Sequence, residues 1–262
     1  MPIHFAQRPG LVVYLTVGDP DLATTRAVAL AAIDAGADVL ELGVPFSDPL
    51  ADGPVIERAS HRAVANGITM GHVLTLARDL HAARPQTGLV IFTYLNPILS
   101  FGLERFCTEA RAAGVDAVLA TDLTLEEADG AYLKAIRGAG LAPIFLAAPT
   151  STDERLQRIA GVCEGFVYAI SRVGITGAQQ SLAADARGLV ERLRRYTKLP
   201  IALGFGVSTA THVAALGEFA DAAVVGSAIV GLIERSTPQD APAAVAAFIE
   251  GLRPVATASG LR

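Results

Sequence analysis

Charge is scarce in this sequence and cysteine is scarcer. Of its 262 residues 18% are Asp, Glu, Lys or Arg, and the net charge is -5. Such a chain has no basic footprint for nucleic acid or for an anionic membrane surface, so any phosphate it binds must be held locally. The two cysteines, Cys107 and Cys163, lie far apart and outside any CxxC or metal-ligand spacing. They read as free thiols of a reducing cytoplasm. The longest apolar runs, such as Gly88 to Leu95, are too short to cross a bilayer. The opening MPIHFAQRPG lacks the charged region and apolar stretch of a signal peptide. No long linker rich in Pro, Gly and Ser breaks the chain, so residues 1–262 are expected to form one domain. What the sequence has in quantity is apolar residues, 52% of the total, enough for a large core.

Those residues fall into short runs: Leu11 to Thr16, Val39 to Gly43, Leu89 to Tyr94, Ala117 to Thr121, Pro143 to Ala148, Gly165 to Ile170, Ile201 to Gly204 and Ala222 to Val225. They are nearly continuous rather than alternating, as parallel strands covered on both faces are. Helical periodicity fills the intervals, at Asp21 to Ala35, Val55 to Ala65, Gly71 to Ala83, Leu125 to Ala139, Ala183 to Thr197 and Pro238 to Gly251. Acids in the first turn at Glu126 and Glu127, and cations at Arg192, Arg194, Arg195 and Lys198, have the signs that the helix dipole favours. Eight strand and helix units predict a single (β/α)8 TIM barrel with extra helices. Residues 1–10 would be a short N-terminal cap and residues 254–262 a frayed tail. A recurring Ala-Gly-x-Asp pattern, at Ala35 to Val39, Ala113 to Ala117 and loosely Phe219 to Ala222, marks the return from helix to strand. It reads as architecture.

In such a barrel the chemistry lies at the C-terminal ends of the strands. The acids there are Asp19, Glu41, Asp48, Asp52 and Asp122, and no histidine joins them. A histidine metal site or a Ser-His-Asp triad is therefore not expected. Glu41 ends an apolar strand with no Lys or Arg between Arg26 and Arg58. In that low-dielectric wall its pKa should rise, which suits proton transfer near neutrality. Asp48 and Asp52 follow in PFSDPLADGP, where Asp-Pro and Asp-Gly pairs also serve as turn formers. An acid on this loop that stayed ionised could take the opposite role to Glu41. Gly204-Phe205-Gly206 and Gly226-Ser227 close the last two strands, the place where barrels of this kind often hold phosphate on backbone N–H groups. The long SRVGITGAQQS stretch, Ser171 to Ser181, has the position of a lid.

The segment ELGVPFSDPLADGP, Glu41 to Pro54, resembles the signature of the tryptophan synthase α subunit family. The likeness continues through YLTVGDPD at Tyr14 to Asp21, YLNPI at Tyr94 to Ile98, SRVGITG at Ser171 to Gly177, LGFGVS at Leu203 to Ser208 and VVGSAIV at Val224 to Val230. The resemblance implies retro-aldol cleavage of indole-3-glycerol phosphate to indole and glyceraldehyde 3-phosphate, without cofactor or metal. It also implies a cytoplasmic complex of two α and two β chains for tryptophan biosynthesis. Carried onto this sequence, it makes Glu41 and Asp52 the catalytic acids and puts Tyr94, Tyr168, Thr176 and Phe205 around the substrate. Gly177, Gly206, Gly226 and Ser227 would hold the phosphate. Asp48, Pro49, Asn96 and Thr124 would face the β subunit.

Three departures stand out. The segment before the first strand is shorter than the helix the family usually carries there, Thr124 replaces a common proline, and Val173 adds an apolar residue to the lid. The same acids and phosphate site would also serve a stand-alone lyase that releases free indole. A non-catalytic barrel kept as a binding subunit is opposed by the intact acid pair.

Overall fold

The computed structural model describes residues 3–170, 179–204 and 206–253. Its strands are β1 (Gly10–Thr16), β2 (Val39–Gly43), β3 (Gly88–Thr93), β4 (Ala117–Ala120), β5 (Ala142–Pro143), β6 (Leu146–Ala147), β7 (Val167–Ile170), β8 (Ile201–Gly204) and β9 (Ala222–Val225). All pair in parallel, in the order β5-β4-β3-β2-β1-β9-β8-β7-β6. The two outermost strands are halves of one extended run. Ile144 N–H donates to Val118 O at 2.9 Å on the β4 side, and Glu164 N–H donates to Pro143 O at 2.9 Å on the β7 side. The sheet therefore closes on itself as an eight-membered TIM barrel. The expected strand Pro143 to Ala148 is split because Pro143 has no N–H to give to a ladder and Phe145 N–H turns to Cys163 Sγ at 3.3 Å.

Helices cover the outside: α1 (Leu22–Asp34), α2 (Pro54–Ala65), α3 (Met70–Ala83), α4 (Leu95–Phe101), α5 (Leu103–Ala112), α6 (Leu125–Ala128), α7 (Ala131–Gly138), α8 (Asp153–Val162), α9 (Gln179–Leu193), α10 (Ala210–Gly217), α11 (Ser227–Arg235) and α12 (Ala241–Leu252). Successive strand residues face opposite sides. Leu11, Val13, Leu40, Leu42, Leu89 and Ile91 pack under the helices. Val12, Val39, Val90, Leu119, Tyr168 and Val224 fill the barrel. Both faces of each strand are buried, which is why the strands read as continuous apolar runs. The helix expected over Leu125 to Ala139 is two, α6 and α7, interrupted at Asp129 and Gly130, where Gly130 takes φ +91°.

The base is closed compactly. Residues 3–9 form no helix. Ile3 is buried in the barrel interior, and the Phe5 ring meets Phe166 edge-on at 6.3 Å. The recurring aspartates are built in here. Asp38 Oδ2 accepts from Leu11 N–H at 2.8 Å, Asp116 Oδ2 from Leu89 N–H at 3.0 Å and Asp221 Oδ2 from Ile201 N–H at 2.7 Å. Each precedes a strand and ties down the start of the neighbouring one. Arg192 lies in the last turn of α9, as the helix dipole favours, and the cations near 192–198 also make tertiary contacts. Arg194 pairs with Asp221, and Arg192 bonds Asp153 Oδ1 at 2.8 Å and Pro149 O at 3.2 Å. The expected tail, residues 254–262, lies outside the described residues.

Candidate active site

Of the five strand-end acids, three are occupied elsewhere. Asp19 is buried but bound through both oxygens by Arg62, at 2.7 and 2.9 Å. Asp122 Oδ1 accepts from Leu95 N–H at 2.8 Å and so anchors the start of α4. Asp48 is exposed and accepts from Ser47 Oγ at 2.5 Å. Glu41 and Asp52 remain.

Glu41 is 0% exposed, and neither carboxyl oxygen has a hydrogen-bond partner among the described residues. Its side chain points into the barrel because Val39, two residues earlier, does so too. Burial alone pushes its carboxyl up to about 8. Asp52 sits on the loop after β2, which Ser60 of α2 pins by donating to Phe46 O at 2.9 Å and accepting Phe46 N–H at 2.8 Å. The Tyr94 hydroxyl donates to Asp52 Oδ2 at 3.0 Å and accepts from Ala51 N–H at 3.0 Å. Burial raises Asp52 to about 6, the Tyr94 bond opposes the rise, and Glu57 adds a smaller push. Asp52 is thus less water-exposed than its loop position suggested, yet still below neutrality. The two carboxyls are pushed up to different heights, Glu41 to about 8 and Asp52 to about 6.

Glu41 lines a cavity of about 240 Å³. Tyr14, Ile56, Phe92, Tyr168 and Val224 give it apolar walls, and Gly204, Gly206, Gly226 and Ser227 line it as well. Gly206 has φ +53°, a left-handed turn that glycine makes without strain. Gly226 caps α11 with no side-chain bond to the helix's first N–H groups, and Ser227 opens that helix. These N–H groups with the dipole behind them suit an anion. The structure therefore brings Glu41, Tyr168, Gly206, Gly226 and Ser227 to one cavity, while Asp52 and Tyr94 are bonded to each other beside Gly53, which lines the same cavity. Thr176, Gly177, Phe205 and residues 171–178 of the expected lid lie outside the described residues. From Gln179 that stretch is already α9.

Of the residues expected at a partner surface, Asp48 is exposed and Pro49 is buried in its own loop. Asn96 is exposed in the first turn of α4. Thr124 caps α6, its hydroxyl accepting from Glu127 N–H at 3.3 Å while Glu127 Oε2 accepts from Thr124 N–H at 3.2 Å. Sequence reasoning missed Tyr14, Ile56, Phe92 and Val224 as cavity walls. Register carries the signal for two of them. Tyr14 is the β1 partner of Glu41, and Phe92 follows by two the β3 partner, Val90. Among the described residues no group of three or more His, Cys, Asp and Glu side chains is placed to hold a metal ion, and no helix is long and apolar enough to cross a membrane.

A sequence model of the family described as tryptophan synthase alpha chain matches residues 3–258. A tryptophan synthase alpha chain from Solibacter usitatus is 48% identical over 229 residues, covering 87% of this chain and 85% of that one. Another, from Burkholderia lata, is 43% identical over 253 residues, covering 97% and 93%. The fold is similar to a chain in the crystal structure of the tryptophan synthase complex from Pyrococcus furiosus, with a TM-score of 0.85, 36% identity and coverage of 94% and 98%. Sequence and fold agree, and the chain belongs to the tryptophan synthase alpha chain family.

Proposed function

We propose that this chain cleaves indole-3-glycerol phosphate to indole and glyceraldehyde 3-phosphate, as the α subunit of a tryptophan synthase in tryptophan biosynthesis. One observation carries the reading: Glu41, buried and without a partner among the described residues, faces a largely apolar cavity that Gly206, Gly226 and Ser227 also line, and its burial pushes the carboxyl up to about 8. Breaking the bond between the indole ring and its side chain requires that ring carbon 3 first gain a proton. Glu41 supplies it. Glu41 then takes the proton of the glycerol hydroxyl next to the breaking bond. The O–H electrons form the new carbonyl, and the C–C electrons restore the aromatic ring. Asp52, ionised at pH 7, accepts the ring N–H and offsets the positive charge that develops there. Two carboxyls held at different pKa values take opposite roles.

Tyr168 and Tyr94, with Phe205 and Thr176, would surround the indole. Gly206, Gly226 and Ser227, with Gly177, would hold the phosphate. A β subunit would dock at the barrel mouth over Asp48, Pro49, Asn96 and Thr124, in a cytoplasmic assembly of two α and two β chains. In support, Leu50 is 96% exposed and Leu99 54%, apolar surface beside Pro49 and on the same short helix as Asn96.

The test is indole release from indole-3-glycerol phosphate, with and without a cognate β chain. Slow release accelerated by the β chain is expected. Fast release indifferent to it would favour the stand-alone lyase, and no release under either condition would sink the reading.

A further inference from the structure

Tyr14 lines the cavity beside Glu41, and the chemistry above makes no use of its hydroxyl. The two residues are register partners on β1 and β2. The Tyr14 ring packs with Ala59 of α2 and Val230 of α11, and Phe92 meets it edge-on at 5.0 Å. So held, the ring carries its hydroxyl over Gly43, two residues beyond Glu41 on the same strand face. A Cβ at Gly43 would lie 2.3 Å from the phenol oxygen, so only glycine leaves that space. The oxygen accepts Thr16 Oγ1–H at 3.3 Å. No described residue accepts the phenol's own proton, and no described residue donates to Glu41. Two donors unused among the described residues, the hydroxyls of Tyr14 and Tyr168, and an unused acceptor share one buried cavity.

We propose that the Tyr14 phenol is the hydrogen-bond donor that holds the Glu41 carboxylate while Glu41 is without its proton. The proposal rests on the reading of Glu41 as the proton carrier. In the resting enzyme Glu41 is neutral and its oxygens can stay unpartnered. Once its proton has moved to the ring, a carboxylate stands in an apolar wall, where an unpartnered charge is costly. A charge-assisted bond from a phenol offsets that cost. Tyr14 keeps its own proton throughout, because burial first and the nearby Asp52 carboxylate second hold the phenol well above its ordinary range. The bond from Thr16 to the phenol oxygen polarises the O–H and strengthens it as a donor.

Tyr14 from β1 and Tyr168 from β7 line the cavity with Glu41 and feel its charge, and the Asp52 carboxylate on the loop after β2 acts on both phenols. Tyr94 already gives its proton to Asp52. Tyr168 leans on Gly204 of the next strand, where a Cβ would lie 3.3 Å from its ring. Tyr14 is the phenol on the strand adjoining Glu41.

The experiment follows the Glu41 carboxyl by carbon-13 NMR in protein labelled at glutamate, with Glu41→Gln assigning the signal, alongside steady-state indole release. Tyr14→Phe keeps the ring and its packing. It should raise the Glu41 midpoint by about one pH unit and lower kcat about tenfold with little change in KM. Thr16→Val should move the midpoint the same way by less, and serves if Tyr14→Phe does not fold. An unchanged midpoint in both variants overturns the proposal, as does a midpoint moved by Tyr168→Phe alone. Should wild-type Glu41 titrate near 8 while no indole is released, the lyase reading falls and the midpoint shift still decides the role of Tyr14.

Discussion

At the base of the barrel Asp38 accepts from Leu11 N–H and pairs with Arg253, and Asp221 accepts from Ile201 N–H and pairs with Arg194. At the mouth Glu41, more deeply buried than either, touches no donor among the described residues. The two ends share residue chemistry and differ in partners and in depth of burial. A buried acid given donors is an anchor. Its charge is compensated, and its loss strands the groups that relied on it. A buried acid denied donors is kept neutral, which costs stability above its unfolded pKa and leaves a proton available at neutral pH. The barrel thus separates stability and chemistry by end, as its architecture favours.

Glu41→Gln tests the mouth. It keeps shape and removes the proton, so indole release should fall by a factor on the order of 10²–10⁴. Its stability should move the other way. Burial pushes the Glu41 carboxyl up to about 8 in the folded chain, from an ordinary value of 4.5. Between those values the folded state binds more protons than the unfolded, so wild-type stability falls as pH rises through that window. Urea denaturation should find Glu41→Gln the more stable protein at pH 8 and the two equal near pH 4. A glutamine variant less stable than wild type at pH 8 would mean that a donor to the carboxylate, such as Tyr14, outweighs the cost of its burial. In wild type the two acids should give a bell-shaped kcat/KM profile, falling above about 8 as Glu41 loses its proton and below about 6 as Asp52 gains one.

Asp38→Ala tests the base. It strands Leu11 N–H and the half-buried Arg253, and should cost about 3 kcal/mol in chemical denaturation. The KM for indole-3-glycerol phosphate should not change in the protein that remains folded. A raised KM with intact stability would mean that the two ends are not separate.

Much of this division was legible beforehand. The strands Val39–Gly43, Ile201–Gly204 and Ala222–Val225 begin and end where their apolar runs do, because a strand buried on both faces leaves its extent in hydrophobicity alone. The Ala-Gly-x-Asp returns were readable as architecture because the glycine and the acid recur together. Local sequence could not say which strand-end acids had partners. Asp19 and Glu41 look equally buried and acidic, and Arg62, which satisfies Asp19, comes 43 residues later. Nor did Tyr14 announce itself. An aromatic in an apolar run looks like core until register sets it opposite Glu41. Gly130 was readable as a helix breaker, but continuous amphipathic periodicity on either side concealed the break.

Tyr94→Phe probes the edge of the mouth, where an acid does have one donor. The Tyr94 bond lowers Asp52 against the rise caused by burial. Without it Asp52 should titrate above about 6, and the acid limb of the profile should move toward neutrality. Indole release at pH 6.5 should drop severalfold, and less at pH 8. An unmoved acid limb would assign that limb to another group.

The smallest effect asks whether the rule for partnered groups holds at the mouth as well as at the base. Thr124 stands among the candidate partner-facing residues, yet its side chain is spent within its own chain, in a reciprocal cap with Glu127 at the start of α6. Partnered polar groups at the base are structural, and by the same logic Thr124 should be. Thr124→Ala should then cost about 1 kcal/mol of stability and leave indole release by the isolated chain unchanged. Its stimulation by a β chain should also be unchanged, because the substitution removes a cap and no outward-facing donor. Stimulation weakened in the alanine variant while the isolated chain cleaves normally would show that the cap shapes a docking surface, and that at the mouth even a satisfied side chain serves function.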